Sequence, residues 1–196
     1  MKRLVIAVDC DDVLVRTTPF FIEAYNLAYG TNVTLAQAHD DSDASWSTDR
    51  KTLEMRLAAL MDTDAYRRIA PTDEEITILR ALAEHHELHV ITARREEERA
   101  MTQQTLDTYL PGVFTSLELV GFTGSKGEVC ARLRADVLID DNARHLENAV
   151  QYGLPSTGAL LFGGYPWNDE ARALSDIIRC DSWSDVQQEI NQLAQD

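Results

Sequence analysis

Apolar positions along the chain fall into six short runs, separated by longer stretches in which they recur every three or four residues. "RLVIAV" (3–8), "LHVIT" (88–92), "SLELV" (116–120), "DVLID" (136–140), "GALLF" (158–162) and "DIIRC" (176–180) have the length and composition of strands. Several are nearly continuous in hydrophobicity, as strands covered on both faces are. Between them the helical period runs over 72–85, 95–109, 126–134, 142–152 and 183–194. "PTDEE" at 71–75 starts the first of these helices, with Thr72 as N-cap and Glu75 completing a capping box, and "SWSD" at 182–185 repeats that arrangement for the last. Strand alternating with helix predicts an α/β fold built on a doubly wound parallel sheet.

One interval interrupts the alternation. Residues 16–70 carry no strand pattern and suggest helices near 18–30 and 50–68, joined by the polar segment "AHDDSDASWSTD" (38–49). Ligands of open α/β sheets bind beyond the carboxyl ends of the strands, and a helical block inserted directly after the first strand is placed to cover them. The expected organisation is a core of residues 1–15 and 71–196 with a small helical cap at 16–70.

A chain of 196 residues, 44% hydrophobic, can bury a core of its own. Its formal net charge of −15 disfavours nucleic-acid polymers and anionic membranes, which need a cationic surplus. A small phosphorylated substrate stays compatible, because one divalent cation and one lysine reverse the sign locally. Three cysteines, Cys10, Cys130 and Cys180, suggest neither a zinc site nor a disulfide framework. With no apolar run of spanning length, and an N-terminal run too short for a signal-peptide core, the expectation is a cytoplasmic protein without membrane association.

Chemistry gathers at the strand ends. The first strand ends in Asp9-Cys10-Asp11-Asp12, the second in Thr92 and the fourth in Asp140-Asp141, while "TGSKGEVC" puts Lys126 at a helix start after the third. A doubly wound sheet brings those ends to one crevice. Clustered carboxylates suit a hard divalent cation, with Mg²⁺ the natural candidate, and a hydroxyl and an ammonium suit phosphoryl oxygens. A carboxylate can also attack phosphorus, and a second can move the proton.

This set resembles the haloacid dehalogenase superfamily of phosphohydrolases, whose four motifs it matches in order. Asp9-Cys10-Asp11-Asp12-Val13-Leu14 fits D-x-D-x-[TV]-[LV], Thr92 fits the second motif, Lys126 the third and Asp140-Asp141 the fourth. The resemblance implies Asp9 as nucleophile and metal ligand, and Asp11 as general acid/base whose backbone carbonyl also reaches the metal. It further implies Thr92 and Lys126 as phosphoryl ligands, Asp141 as direct metal ligand, and Asp140 as a ligand directly or through water. Arg94, two residues past Thr92, is a further candidate for phosphate contact. A helical insert, "HVITAR" and "KGEVC…DVLIDDNARHLENA" look like the 5′(3′)-deoxyribonucleotidase-like branch, and "GALLFGGYPWN" like a segment seen near it.

The implied function is a Mg²⁺-dependent phosphatase of a small phosphorylated metabolite, with nucleoside monophosphates among the candidates. A phosphotransferase or mutase uses the same four elements. A receiver-type signalling domain fits less well, because the chain is longer, carries the insertion and has its second acidic pair late. A silent phospho-ligand-binding protein would have no chemical reason to keep Asp9, Asp11, Lys126 and Asp141.

Three points stand apart from the motifs. Asp12 stands where relatives often carry glycine; it either lengthens a solvent-facing turn or alters the loop that follows, and is read as facing away from the chemistry. Phe20, Phe21, Tyr25, Trp46 and Trp167 are read first as core aromatics and second as platforms for a base. Cys10, between two aspartates, is expected to be a packed residue with a raised pKa.

Overall fold

The computed structural model describes residues 2–39, 45–168 and 177–195. Six strands form one sheet in the order β3-β2-β1-β4-β5-β6, and every neighbouring pair is parallel. They are β1 (Val5–Val8), β2 (Glu87–Thr92), β3 (Ser116–Leu119), β4 (Val137–Asp140), β5 (Ala159–Phe162) and β6 (Ile178–Cys180). Each expected strand is present: the second gains Glu87 and the other five are shorter at one end, with position 176 of the sixth outside the described residues. The order reverses between β1 and β4, which opens the crevice of a doubly wound sheet at their carboxyl ends.

The side-chain period of two sends alternate residues of β1 to opposite layers. Ile6 and Val8 pack with α4 (Asp73–Ala83), α5 (Arg99–Tyr109) and α8 (Trp183–Leu193), while Ala7 packs with α6 (Lys126–Leu133) and α7 (Ala143–Gln151). Strands buried on both sides explain the nearly unbroken apolar runs.

Between β1 and α4 lie α1 (Thr17–Tyr29), α2 (Arg50–Met61) and α3 (Asp64–Arg67). They bury a separate core of Tyr25, Val33, Trp46 and Leu60. The helix expected over 50–68 is two helices, because the Thr63 hydroxyl accepts the Tyr66 N–H at 3.2 Å and starts a new turn. Residues 40–44 of the polar connection lie outside the described residues.

The capping box of α4 forms as the spacing predicts, with Thr72 N–H to Glu75 Oε2 at 2.7 Å and Glu75 N–H to Thr72 Oγ1 at 3.3 Å. Glu75 is buried and also receives Arg16 Nη2 at 2.6 Å, so one carboxylate secures both the helix start and the chain leaving β1. Thr72→Ala is expected to cost about 1 kcal/mol, read as a fall in Tm of about 2–4 °C for a chain of this size. An unchanged melt would mean that the Arg16 and Glu75 contacts hold the helix start alone.

Candidate active site

Asp9 is the first residue past β1, and its N–H donates to the Ile139 carbonyl of β4 at 2.9 Å. That bond fixes the loop over the point where strand order reverses. Thr92 ends β2, Asp140 ends β4 and Lys126 opens α6. Thr92, Lys126 and Asp140 are 0% exposed, and Asp9 and Asp141 are nearly as deep.

Lys126 Nζ lies 2.7 Å from Asp9 Oδ2 and 2.7 Å from Asp140 Oδ2. Its helix is seated by Gly127, where a Cβ would come within 2.7 Å of the Asn148 carbonyl on α7, and whose N–H donates to Asn148 Oδ1 at 2.9 Å. Asp140 Oδ1 accepts the Asn142 N–H at 3.0 Å, so both its oxygens are engaged. Asp141 is held by its neighbours in the segment after β5. Trp167 Nε1 donates to both its carbonyl and Oδ2 at 3.1 Å, and the Asn168 side-chain amide donates to the same carbonyl.

Asp9, Asp140 and Asp141 each offer a carboxylate oxygen, all within 4.8 Å of one another. Three carboxylates against one ammonium give a formal charge of −2 (−3 + 1) when all are ionised, in a buried site. Burial pushes the Asp9 carboxyl up; Lys126 draws it back, Asp140 and Asp11 add to the rise, and it settles at about 7. Burial likewise holds Asp140 and Asp141 above the usual carboxylate range, with Asp140 and Asp9 adding to the rise at Asp141. Burial works against the Lys126 charge, but Asp140 and Asp9 outweigh it and keep the ammonium intact.

The Asp11 carboxylate lies outside that triplet. Arg94 Nε reaches its Oδ2 at 2.9 Å and Nη2 its Oδ1 at 2.7 Å, while the Thr17 hydroxyl donates to Oδ1 at 2.5 Å. Burial raises Asp11, but Arg94 and Thr17 prevail and hold it below the usual range. Arg94 is itself buried, with Nη1 on Thr102 Oγ1 at 2.9 Å, so three of its donors are engaged within the fold. The Thr92 hydroxyl accepts the Arg94 backbone N–H at 3.2 Å, which leaves its own O–H to donate.

Asp12 is not on a solvent-facing turn: it is 3% exposed and shapes the loop that follows. Its φ of 57° lies in the left-handed region that favours glycine, which an aspartate tolerates when it bonds locally. Its Oδ1 accepts the Thr18 N–H at 3.0 Å and its Oδ2 the Thr18 hydroxyl at 2.5 Å, satisfying an orphan donor of the first turn of α1. Its carbonyl accepts the Tyr165 hydroxyl at 2.8 Å.

Of the aromatics, Tyr25 and Trp46 are buried against each other at 5.0 Å, and Phe20 and Phe21 pack on Tyr66. Trp167 stacks with Tyr165 at 4.3 Å and with His39 of the insert at 4.1 Å. Cys10 is buried, and burial more than its acidic neighbours raises its thiol. Thr17, Thr102, Tyr165 and Asn168 escaped the sequence reading. Only "GGYPWN" offered a signal, through its position after a strand, because the partners of Thr17 and Thr102 are set by the fold.

The family model described as 5′ nucleotidase, deoxy (pyrimidine), cytosolic type C protein (NT5C) matches residues 3–195. The chain belongs to this nucleotidase family. That membership makes it a phosphoric monoester hydrolase of the haloacid dehalogenase type. No curated protein gives a significant match. Among solved structures, a haloacid dehalogenase-like hydrolase from Streptococcus pneumoniae superposes with a TM-score of 0.69 at 11% identity, over 96% of this chain and 98% of that one. A Clostridium acetobutylicum protein assigned as a phosphatase gives 0.65 at 14% identity, over 98% of this chain and 100% of that one. A Thermotoga maritima protein assigned as a β-phosphoglucomutase gives 0.67 at 14%, again over 98% and 100%. These likenesses concern the fold shared by the family. No helix among the described residues is long and apolar enough to cross a membrane.

Proposed function

We propose that the chain is a Mg²⁺-dependent phosphatase that hydrolyses a small phosphomonoester through an aspartyl-phosphate on Asp9, with nucleoside 5′-monophosphates as the leading substrate class. The observation that supports it most directly is the buried group of Asp9, Asp140 and Asp141 around Lys126, at the crevice where strand order reverses. An excess of two negative charges on hard oxygens is the donor set a small divalent cation takes. Asp9, Asp141 and the Asp11 carbonyl would hold it, with Asp140 completing the set and orienting Lys126. When bound, the cation offsets the carboxylate charge and draws electron density from the phosphoryl oxygens.

The chain's own groups do the rest. Arg94 and Thr17 keep Asp11 ionised in the free enzyme, so the proton it relays is that of a monoanionic phosphomonoester. Asp9 attacks phosphorus, and Asp11 passes that proton to the ester oxygen as it leaves. Water then cleaves the acyl phosphate and gives a proton to Asp11, which hands it to the departing phosphate, so both carboxylates are restored. Lys126 and the Thr92 hydroxyl bind the phosphoryl oxygens. The insert, with a core of its own and contacts reaching Asp11, Asp12 and Trp167, acts as the cap over this site; residues 16–70 are its extent. The family's description favours nucleotides as the first substrates to test.

Purified protein with Mg²⁺ is expected to release inorganic phosphate from an aryl phosphate and from part of a panel of nucleoside and deoxynucleoside monophosphates. EDTA is expected to stop that release. Phosphate appearing on a second hydroxyl instead of in solution would make the enzyme a transferase, and inertness across the panel would remove the reading.

A further inference from the structure

Arg94 sits where a phosphate ligand was expected, yet its geometry serves another carboxylate of the site. The Nε/Nη2 edge of its guanidinium, the fork that matches a phosphate or carboxylate, lies bidentate on Asp11 at 2.9 and 2.7 Å. Nη1 is bound to Thr102 Oγ1 at 2.9 Å, and that hydroxyl donates to the Glu98 carbonyl at 2.9 Å, so the fork is anchored through α5. The backbone N–H of Arg94 is fixed on Thr92 at 3.2 Å. The cavity it lines with Val15, Tyr66, Ile69, Met101 and Thr105 is about 10 Å³, room for about one water and too small for a phosphoryl group.

We propose that Arg94 is a positioning residue, which holds the Asp11 carboxylate in one rotamer and acts on the reaction through Asp11 instead of binding the phosphoryl group. This rests on the reading of Asp9 and Asp11 given above. The pairing also distinguishes the two oxygens of Asp11. Among the described residues, Oδ1 accepts from both Arg94 and Thr17, whereas Oδ2 accepts from Arg94 alone and keeps a lone pair. Oδ2 is therefore the atom that exchanges the proton with the leaving oxygen and with water. Holding it still supplies orientation the reaction would otherwise need to find.

The test compares steady-state kinetics of Arg94→Gln, Thr102→Val, Asp11→Asn and the Asp11→Asn/Arg94→Gln pair on an aryl phosphate, with inorganic phosphate as competitive inhibitor. A positioning role predicts that Arg94→Gln lowers kcat by about 10- to 100-fold, as loss of a supporting partner does, with KM and the phosphate inhibition constant within about twofold. The double variant should be no slower than Asp11→Asn alone, because an effect that acts through Asp11 vanishes with it. Thr102→Val keeps the guanidinium and frees one anchor. It should lower kcat severalfold at constant KM, and it decides the matter if Arg94→Gln does not fold. A tenfold rise in KM and in the phosphate constant, multiplicative losses in the double variant, or an unchanged kcat in both Arg94→Gln and Thr102→Val would each overturn the assignment. If Asp9→Asn retains turnover, the catalytic reading itself fails; if it abolishes turnover while Arg94→Gln weakens phosphate binding, only the role of Arg94 is wrong.

Discussion

Asp9→Asn is expected to give a folded protein whose phosphatase activity is lower by at least about 10⁴-fold, because removal of a nucleophile leaves only binding and orientation. Asp11 cannot take over, since Arg94 and Thr17 hold its carboxylate away from the Lys126 group. The same variant should lose its cation response. In the wild type the Asp9 carboxyl titrates at about 7, against 3.8 for an unperturbed aspartate. A raised carboxyl leaves stability intact at low pH and removes it as the pH climbs between those two values. Melts in EDTA should therefore fall from pH 5 to pH 8. At pH 8, Mg²⁺ at about 100 times its Kd adds about 2.7 kcal/mol, or about 5–10 °C. At pH 5 protons compete for the same oxygens and the shift shrinks. Turnover in Asp9→Asn, or a Mg²⁺ shift as large at pH 5 as at pH 8, would sink this account of the carboxylate group.

Lys126→Met is the second large effect, and here stability goes with activity. The ammonium is 0% exposed and separates two buried carboxylates at 2.7 Å each. Removing one partner from a buried ionic group costs about 3–5 kcal/mol, because the remaining charges stay desolvated and face each other. For a chain of this size that is a fall of about 6–20 °C in Tm. Without the ammonium, Asp9 and Asp140 rise further above their unperturbed values, so the penalty grows as the pH climbs past the wild-type Asp9 value of about 7 and is smallest toward pH 5, where Asp9 is protonated with or without the ammonium. Circular-dichroism melts across that range check it. A fall of less than about 2 °C at pH 8 would show that water or rearrangement replaces the ammonium, contrary to its full burial.

Much of this is legible in the sequence. The parallel sheet followed from apolar runs such as "LHVIT" and "DVLID", whose pattern reflects burial on both faces and needs no distant information. Thr72 and Glu75 were legible because a capping box is closed within four residues. The convergence of Asp9, Lys126 and Asp140 followed from strand ends and sheet winding. What could not be read was where each side chain turns. Asp9 and Asp11, two apart, share a loop, yet one faces Lys126 and the other Arg94, 83 positions away. Asp12 looked dispensable because its role depends on a left-handed backbone and on Thr18 and Tyr165. The split at Thr63 was a local competition between continuing a helix and capping a new one.

The bonds around Asp12 also decide where the insert can bend. Thr18 is clamped to Asp12 by two hydrogen bonds, Thr17 to Asp11 by one, and Arg16 to the buried Glu75 at the foot of α4. Swinging the insert about residue 15 would break all of these at once. The first turn of α1 thus moves with the sheet, and a hinge has to lie beyond Thr18 on the outgoing side. Any opening stroke would then separate the rest of the insert from its own root, sliding His39 off Trp167 while Asp11 and Asp12 stay in place.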